Sequence, residues 1–368
     1  MNAVGIVFSN IHDNDIAELT FNRTMGSIPF GGRYRLIDFT LSNMVNSGIS
    51  KVGVITKNNY QSLMDHLGSG KDWDLARKGG GLIILPPYGA HDSGLYITRL
   101  QALKGIGGFL RRCEEEFVIM TDCDAVCNID FNDILDFHKS KHADITLICK
   151  KIKKSVKMKA LCQLETSKTG RVTDLNFAEK ADENANVFVN IYFMKKVFLQ
   201  HILQDAVAHN YQSFNRDCLL KNVNNYKIYA YTYGGYFEIV NSLANYYKLS
   251  MELLNDKNRA QIFGGRSIYT KVRDSAPTKY SQSAVVSDSF IADGCQIDGE
   301  VVNSVIFRGV KVSRGALVKN SIIMQDSVVG ENANLNAVIL DKSVVIKDRR
   351  ILSGCEELPY FVAKGSLI

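Results

Sequence analysis

Short runs of β-branched and apolar residues alternate with amphipathic stretches over the first part of the chain, and this alternation sets the expected fold class. Ala3 to Ser9 (AVGIVFS) is an apolar run followed by polar residues, which predicts a buried strand and a loop. FGGRYRLIDFTLSNMVNSG then reads as a turn leading into a helix, KVGVITK as a second strand, and Gln61 to Leu67 as a helix. FVIMTD (Phe117 to Asp122) is a further buried strand, FNDILDFHKSKH a helix and DITLICKK another strand. Strands separated by helices imply crossover connections, so the expectation is α/β, a doubly wound, mixed or mostly parallel sheet with helices on both faces. Ligands of such sheets bind at the carboxyl ends of the strands.

The pattern changes after about residue 280, where one aliphatic residue recurs every six positions. The series is Val285, Ile291, Ile297; Ile306, Val312, Val318; Ile323, Val329, Leu335; and Leu340, Ile346, Leu352, with Gly, Asn, Asp and Ser between. Six-residue steps with one inward aliphatic each predict a parallel β-helix of hexapeptide repeats, whose coils stack into one core. Met251 to Lys279 leads into RDSAPTKYSQSAVVSD (Arg273 to Asp288), the polar, proline-containing composition of a linker. The expected organisation is therefore residues 1–250, a linker at 251–280, and the repeat domain at 281–368.

Composition narrows the function classes. At 46% apolar and 22% charged residues, the 368-residue chain has enough apolar material for two cores. It has no apolar run of about 18 residues, and MNAVGIVFSNIHDND lacks the pattern of a signal peptide, so no membrane association and a cytoplasmic location are expected. Eight scattered cysteines without a metal-ligand spacing read as reduced thiols. The net charge of +6 is mild, and its densest basic stretch, Lys150 to Lys159, alternates with apolar residues and lacks aromatics. That describes a solvated face, and no nucleic-acid partner is expected.

FGGRYRLIDFTLSNMVNSGISKVGVIT (Phe30 to Thr56) resembles, at nearly every position, a characteristic segment of the bacterial ADP-glucose pyrophosphorylase family. Similar blocks follow at LPPYG (Leu85 to Gly89), TDCDAVCNIDFNDILDFH (Thr121 to His138), AEK (Ala178 to Lys180), SFNRD (Ser213 to Asp217) and GGYFEIVNSLANYYKLSMELL (Gly234 to Leu254). With the repeats, the resemblance covers essentially the whole chain. It implies a nucleotidyltransferase-like domain followed by a left-handed β-helix, and a reaction that joins glucose 1-phosphate to ATP with release of pyrophosphate. Such a reaction needs a glycine-rich phosphate loop, a basic residue, and carboxylates for Mg²⁺.

Measured against that resemblance, several parts are altered. The family's glycine-rich loop stands here as Ser9 to Leu19 (SNIHDNDIAEL), which has no glycine or arginine and carries Asp13, Asp15 and Glu18. Cβ atoms there block close backbone approach, and like charges oppose a triphosphate. Met25 and Gly26 stand where the family has lysine and proline, and Tyr88, or Gly89 with a one-residue shift, stands where it has an adenine-contacting glutamine. Of the two metal-bridging aspartates, the first corresponds to Asp124, with Asp122 as an alternative, and the second falls on Ile239. Glu238 is adjacent, but in a strand it faces the other way. Phe177, Glu179 and Lys180 match the family's sugar-phosphate motif, Glu179 for sugar hydroxyls and Lys180 for the phosphate; the plain reading of these two is a solvated ion pair. Arg23 and Arg35 match positions that help form an anion pocket for phosphorylated effectors, with packing or a surface ion pair as the alternative.

A scaffold that is kept while the nucleotide loop is lost resembles the GlgD-type companion subunit. That implies a non-catalytic or weakly catalytic regulatory role in glycogen biosynthesis, exercised through a GlgC-type catalytic subunit in a hetero-oligomer, a heterotetramer, with Mg²⁺ needed only for residual activity. The alternatives are an active glucose-1-phosphate adenylyltransferase and, more distantly, a sugar-phosphate sensor. A hexapeptide acyltransferase is set aside because no histidine follows His209.

Overall fold

The strand Ala3–Phe8 (β1) is buried at every residue, as a strand flanked by parallel neighbours and covered on both faces must be. The computed structural model describes residues 1–87 and 96–368. The other strands of its first sheet are β2 (Lys51–Ile55), β3 (Gly81–Leu85), β4 (Phe117–Asp122), β5 (Ile145–Lys151), β6 (Val156–Thr166), β7 (Val172–Ala181), β8 (Asn186–Lys195) and β9 (Ile228–Thr232). Among the described residues they form one mixed sheet in which the order β9-β5-β8-β4-β1-β2-β3 can be traced, with the β6/β7 hairpin joined through Val187 opposite Gln163. β1 runs parallel to β2 and β4, whereas β8 is antiparallel to β4 and β5. The first crossovers lead to one side of β1 and β4 lies on the other. Phe8 and Asp122 are register partners at the carboxyl ends of β1 and β4, which is the crevice where such a sheet accepts ligands.

These strands belong to a compact unit of Met1–Ile11 and Phe39–Phe237; a second unit comprises His12–Asp38 and Glu238–Ile368. The segment 251–280 holds the helix Asp256–Phe263, after which residues 264–278 form neither helix nor strand.

In the second unit, residues 279–362 form, among the described residues, three parallel five-stranded sheets, the left-handed β-helix. Ile297, Val312, Val329 and Ile346 stack in one sheet, Val301, Val318 and Leu335 in the next, and Ile306, Ile323 and Leu340 in the third, all 0–1% exposed. The expected repeat holds with one correction. Val285 is 55% exposed, because Val286 is the residue aligned with Val301 and Val318. The step from the second sheet to the third is five residues in each coil (Val286 to Ile291, Val301 to Ile306, Val318 to Ile323, Leu335 to Leu340), so a six-residue step back from Ile291 lands on Val285. Corners of the coils need a left-handed backbone: Asp288, Asn303, Asn320 and Ala337 form one column with φ between 44° and 53°, and Asn and Asp tolerate this conformation best after glycine.

The outward residues Val305, Ile322 and Ile339 of the third sheet are also fully buried. The helix Leu243–Glu252 packs in this unit, with Tyr247 donating to the Asn320 carbonyl and Tyr246 to the Pro29 carbonyl. Pro29–Phe30 and Tyr34–Arg35 form a hairpin whose turn requires positive φ at Gly31 and Gly32 (59° and 83°).

Ile323→Ala should destabilise the protein by about 2–5 kcal/mol, whereas Val285→Ala should stay within about 0.5 kcal/mol; urea unfolding of the two variants checks the register. A second expectation concerns His138, on the helix Phe131–Ser140, which is 3% exposed and packed edge-on against Phe117 and Phe193. Burial pushes its pKa down to about 4 from 6.5. The unfolded chain therefore binds the proton more readily, and stability present above pH 6.5 is lost as pH falls towards 4. Replacing His138 by Gln should flatten the pH dependence of the urea midpoint between pH 7 and 5.

Candidate functional site

Asp122 closes β4 and is 3% exposed, so its charge demands a partner inside the unit. Arg99, the first residue of the helix Arg99–Gly105, supplies it: one terminal nitrogen donates to both carboxylate oxygens at 2.7 and 2.6 Å. Thr98 and Gln101 form a reciprocal capping box that fixes where this helix starts. The other terminal nitrogen of Arg99 donates to the Tyr192 hydroxyl at 3.1 Å, and that hydroxyl donates to the Asn215 side chain at 2.7 Å. The guanidinium lies over the rings of Phe8 and Tyr192, 5.1 and 5.4 Å from their centroids. Burial opposes its charge, but Asp122, Tyr192 and Asp124 outweigh this and raise the arginine pKa above its ordinary value. Asp124, 6% exposed, offers a carboxylate oxygen within 4.8 Å of one on Asp122.

The sugar-phosphate candidates lie on β7. Ala178 and Lys180 flank an irregularity in the β6/β7 register that falls at Glu179. A bulge breaks strict alternation, and both Glu179 and Lys180 are exposed. Lys180 pairs with Asp182 at 3.0 Å in solvent. The Arg216 guanidinium stacks 4.4 Å from the centroid of Phe177, so the SFNRD block meets the strand residue just before AEK, and Asn215 of SFNRD reaches Tyr192.

The altered loop beyond β1 starts with Ser9 and Asn10, both buried. Ser9 donates to the Ile55 carbonyl, and the Asn10 side chain accepts from the Lys57 amide. Within the second unit, Asp13–Ile16 is a 3₁₀ turn and Ala17–Thr20 a helical turn. The Asp15 amide donates to the His12 carbonyl and the Phe21 amide to Ala17, so these donors are spent locally. The Asp13 carboxylate accepts from the Met25 amide at 2.8 Å. The acid gained in the loop thus holds the residue that stands at the family's lysine position.

Also in the second unit, Arg23 is 2% exposed and donates to both oxygens of Asp341 at 2.7 and 2.8 Å. Its other terminal nitrogen is buried without a hydrogen-bond partner among the described residues. Lys342 follows in sequence, and burial together with Arg35, Arg23 and Lys364, against Asp341, pushes its pKa down to about 6. Arg23, Arg35 and Lys364 thus all bring positive charge to bear on Lys342, a grouping of cations that suits an anion.

Residues 16–255 match the nucleotidyl transferase family, and residues 275–355 match a GlmU-like, C-terminal hexapeptide family. The chain is 33% identical over 363 residues to the glycogen biosynthesis protein GlgD of Bacillus subtilis, covering 98% of this chain and 96% of the relative. It is 35% identical over 329 residues to the glucose-1-phosphate adenylyltransferase of Thermotoga maritima, covering 86% of this chain and 76% of that one. With the enzyme of the same name from Bacillus cytotoxicus it shares 30% identity over 357 residues, 95% and 94% of the two chains. The chain belongs to the glucose-1-phosphate adenylyltransferase family of nucleotidyl transferases.

For an adenylyltransferase of this family, the donor set at the strand end does not suit the expected Mg²⁺. Both Asp122 oxygens are held by a guanidinium, which repels a divalent cation. Ile239, expected where the family has its second carboxylate, has no side-chain ligand atom; it lies in the strand Phe237–Ile239, where Phe237 is buried and Glu238 exposed, as alternation requires. The adenylyltransferase position for adenine contact, Tyr88 or Gly89, lies outside the described residues. Arg99 and Lys342 were not singled out by the sequence: Arg99 follows a stretch with no distinguishing motif, and Lys342 is separated from Arg23 by more than 300 residues.

Removing the carboxylate of Asp341 strands a buried cation, so Asp341→Asn should cost about 3–5 kcal/mol in chemical unfolding. Adding Arg23→Met should recover most of that loss.

Proposed function

We propose that the chain is a non-catalytic or weakly catalytic regulatory subunit of a glucose-1-phosphate adenylyltransferase. It acts in glycogen biosynthesis through a GlgC-type catalytic subunit, in a cytoplasmic hetero-oligomer, a heterotetramer. The observation that carries this reading is the Arg99–Asp122 pair, which spends the strand-end acid on an internal cation. The loop after β1, where the Asp15 amide bonds the His12 carbonyl and the Asp13 carboxylate takes the Met25 amide, supports it as well. Glu179 and Lys180 keep the residue types for a sugar phosphate, and Arg23, Arg35 and Lys342 those for a phosphorylated effector. An interface and an effector pocket outlive a catalytic site because they need packing and net charge, whereas chemistry needs every charge in place.

A second reading, an active adenylyltransferase, is favoured by Asp124, which remains buried at the strand end next to Asp122. Steady-state ADP-glucose synthesis separates the two. Under the regulatory reading the purified chain alone gives no pyrophosphate release, and Asp124→Asn in this chain leaves the complex nearly as active as before. Loss of half or more of the activity with assembly intact favours the enzyme. Arg35→Ala should change the effector concentration for half-activation, within the range of about 5- to 150-fold that ~1–3 kcal/mol of coupling allows, with maximal turnover less affected.

Lys342 adds a readout of the effector site itself. Its pKa of about 6 leaves it mostly neutral at pH 7.5, and an anion placed beside it raises that pKa. Binding of a sugar bisphosphate at pH 7.5 should therefore take up protons, measured as calorimetric heats that vary with the ionisation enthalpy of the buffer. Lys342→Met should abolish the uptake.

A further inference from the structure

The crevice between the carboxyl ends of β1 and β4 is the ligand position of a sheet of this kind, and in this chain a side chain fills it. Arg99 reaches it from a capped helix start, lies over Phe8 and Tyr192, and grips Asp122 through both oxygens. Its side chain is only 11% exposed. The Tyr192–Asn215 bond holds its far side, so the guanidinium is fixed by β1, β4, β8 and the segment that carries Asn215. Asp124 lies close enough to Asp122 for the two carboxylates to share one cation.

We propose that Arg99 is a built-in cation, standing on Asp122 beside Asp124 where a divalent ion would otherwise sit and closing this crevice to metal-bound polyphosphate. The guanidinium supplies directional donors to Asp122 and one positive charge beside Asp124, offsetting the mutual repulsion of two neighbouring carboxylates that favours a metal. It does so without leaving the site, so the unit has a single electrostatic state at any cellular metal concentration. The proposal rests on the reading of the chain as a regulatory subunit and names what keeps its strand-end site silent.

The test measures Mn²⁺ binding to the full chain by electron paramagnetic resonance, without nucleotide. The wild type should show no Mn²⁺ site in the micromolar range. Arg99→Gln, which removes the charge and keeps hydrogen-bonding capacity, should bind Mn²⁺ about tenfold tighter or more. Arg99→Lys, which keeps a cation, should show no such gain, and adding Asp124→Asn to Arg99→Gln should remove it. A folded Arg99→Gln chain with unchanged Mn²⁺ affinity overturns the proposal. If Arg99→Gln does not fold, wild type, Asp122→Asn and Asp124→Asn decide: equal, weak Mn²⁺ binding in all three supports the proposal. A wild-type site lost in either variant overturns it. Failure of the regulatory reading shows as ADP-glucose synthesis by the chain alone, whereas failure of this proposal shows in Mn²⁺ binding with no turnover measured.

Discussion

Charges removed from water must be neutralised nearby, and in both units of this protein the identity of the neutralising group decides what the surrounding space can hold. At the end of β4, Asp122 is satisfied by Arg99, so the acid that the fold presents to ligands is turned inward. In the second unit the sign is reversed: Asp341 is spent on Arg23, and Lys342 is left among cations. The first arrangement repels a divalent cation and the second attracts an anion.

The altered loop after β1 follows the same logic. Loss of its glycines would leave backbone amides unable to wrap a phosphate, but those amides still need acceptors. The 3₁₀ and helical turns of Asp13–Thr20 provide them locally. Asp13, repulsive to a triphosphate, is useful here as the acceptor for the Met25 amide. Substitutions that look like decay in the sequence are mutually compensating in the structure.

Much of the fold was legible because it depends on local periodicity. The strand–helix alternation gave the sheet, and Ile306 to Ile346 gave the coils, since each inward aliphatic sits at a fixed step from the last. Val285 departs from the inward set because the corner between the second and third sheets, where Asp288 and Asn303 turn, makes that step five residues long in every coil. The candidate site was legible only where a residue type was itself the signal, as with Ile239 in place of a carboxylate or the missing glycines of Ser9 to Leu19. Arg99 and Lys342 were invisible because an arginine in a helix start or a lysine in a repeat is an ordinary surface residue until the topology brings Asp122 or Arg23 beside it.

The second unit is assembled from two distant pieces of chain, and that has a consequence in time. Ile16, Leu19, Ile28 and Phe30 are 0–1% exposed in the finished protein, yet they belong to the early segment His12–Asp38, and the rest of their unit begins at Glu238. At roughly 5–20 residues per second, the ribosome needs about 10–40 s to make the intervening stretch. Throughout that interval these apolar side chains lack their permanent cover, while the first sheet is still being completed. The newly made chain is therefore most exposed to aggregation and to chaperone capture before its repeats emerge, and slow translation would lengthen that window.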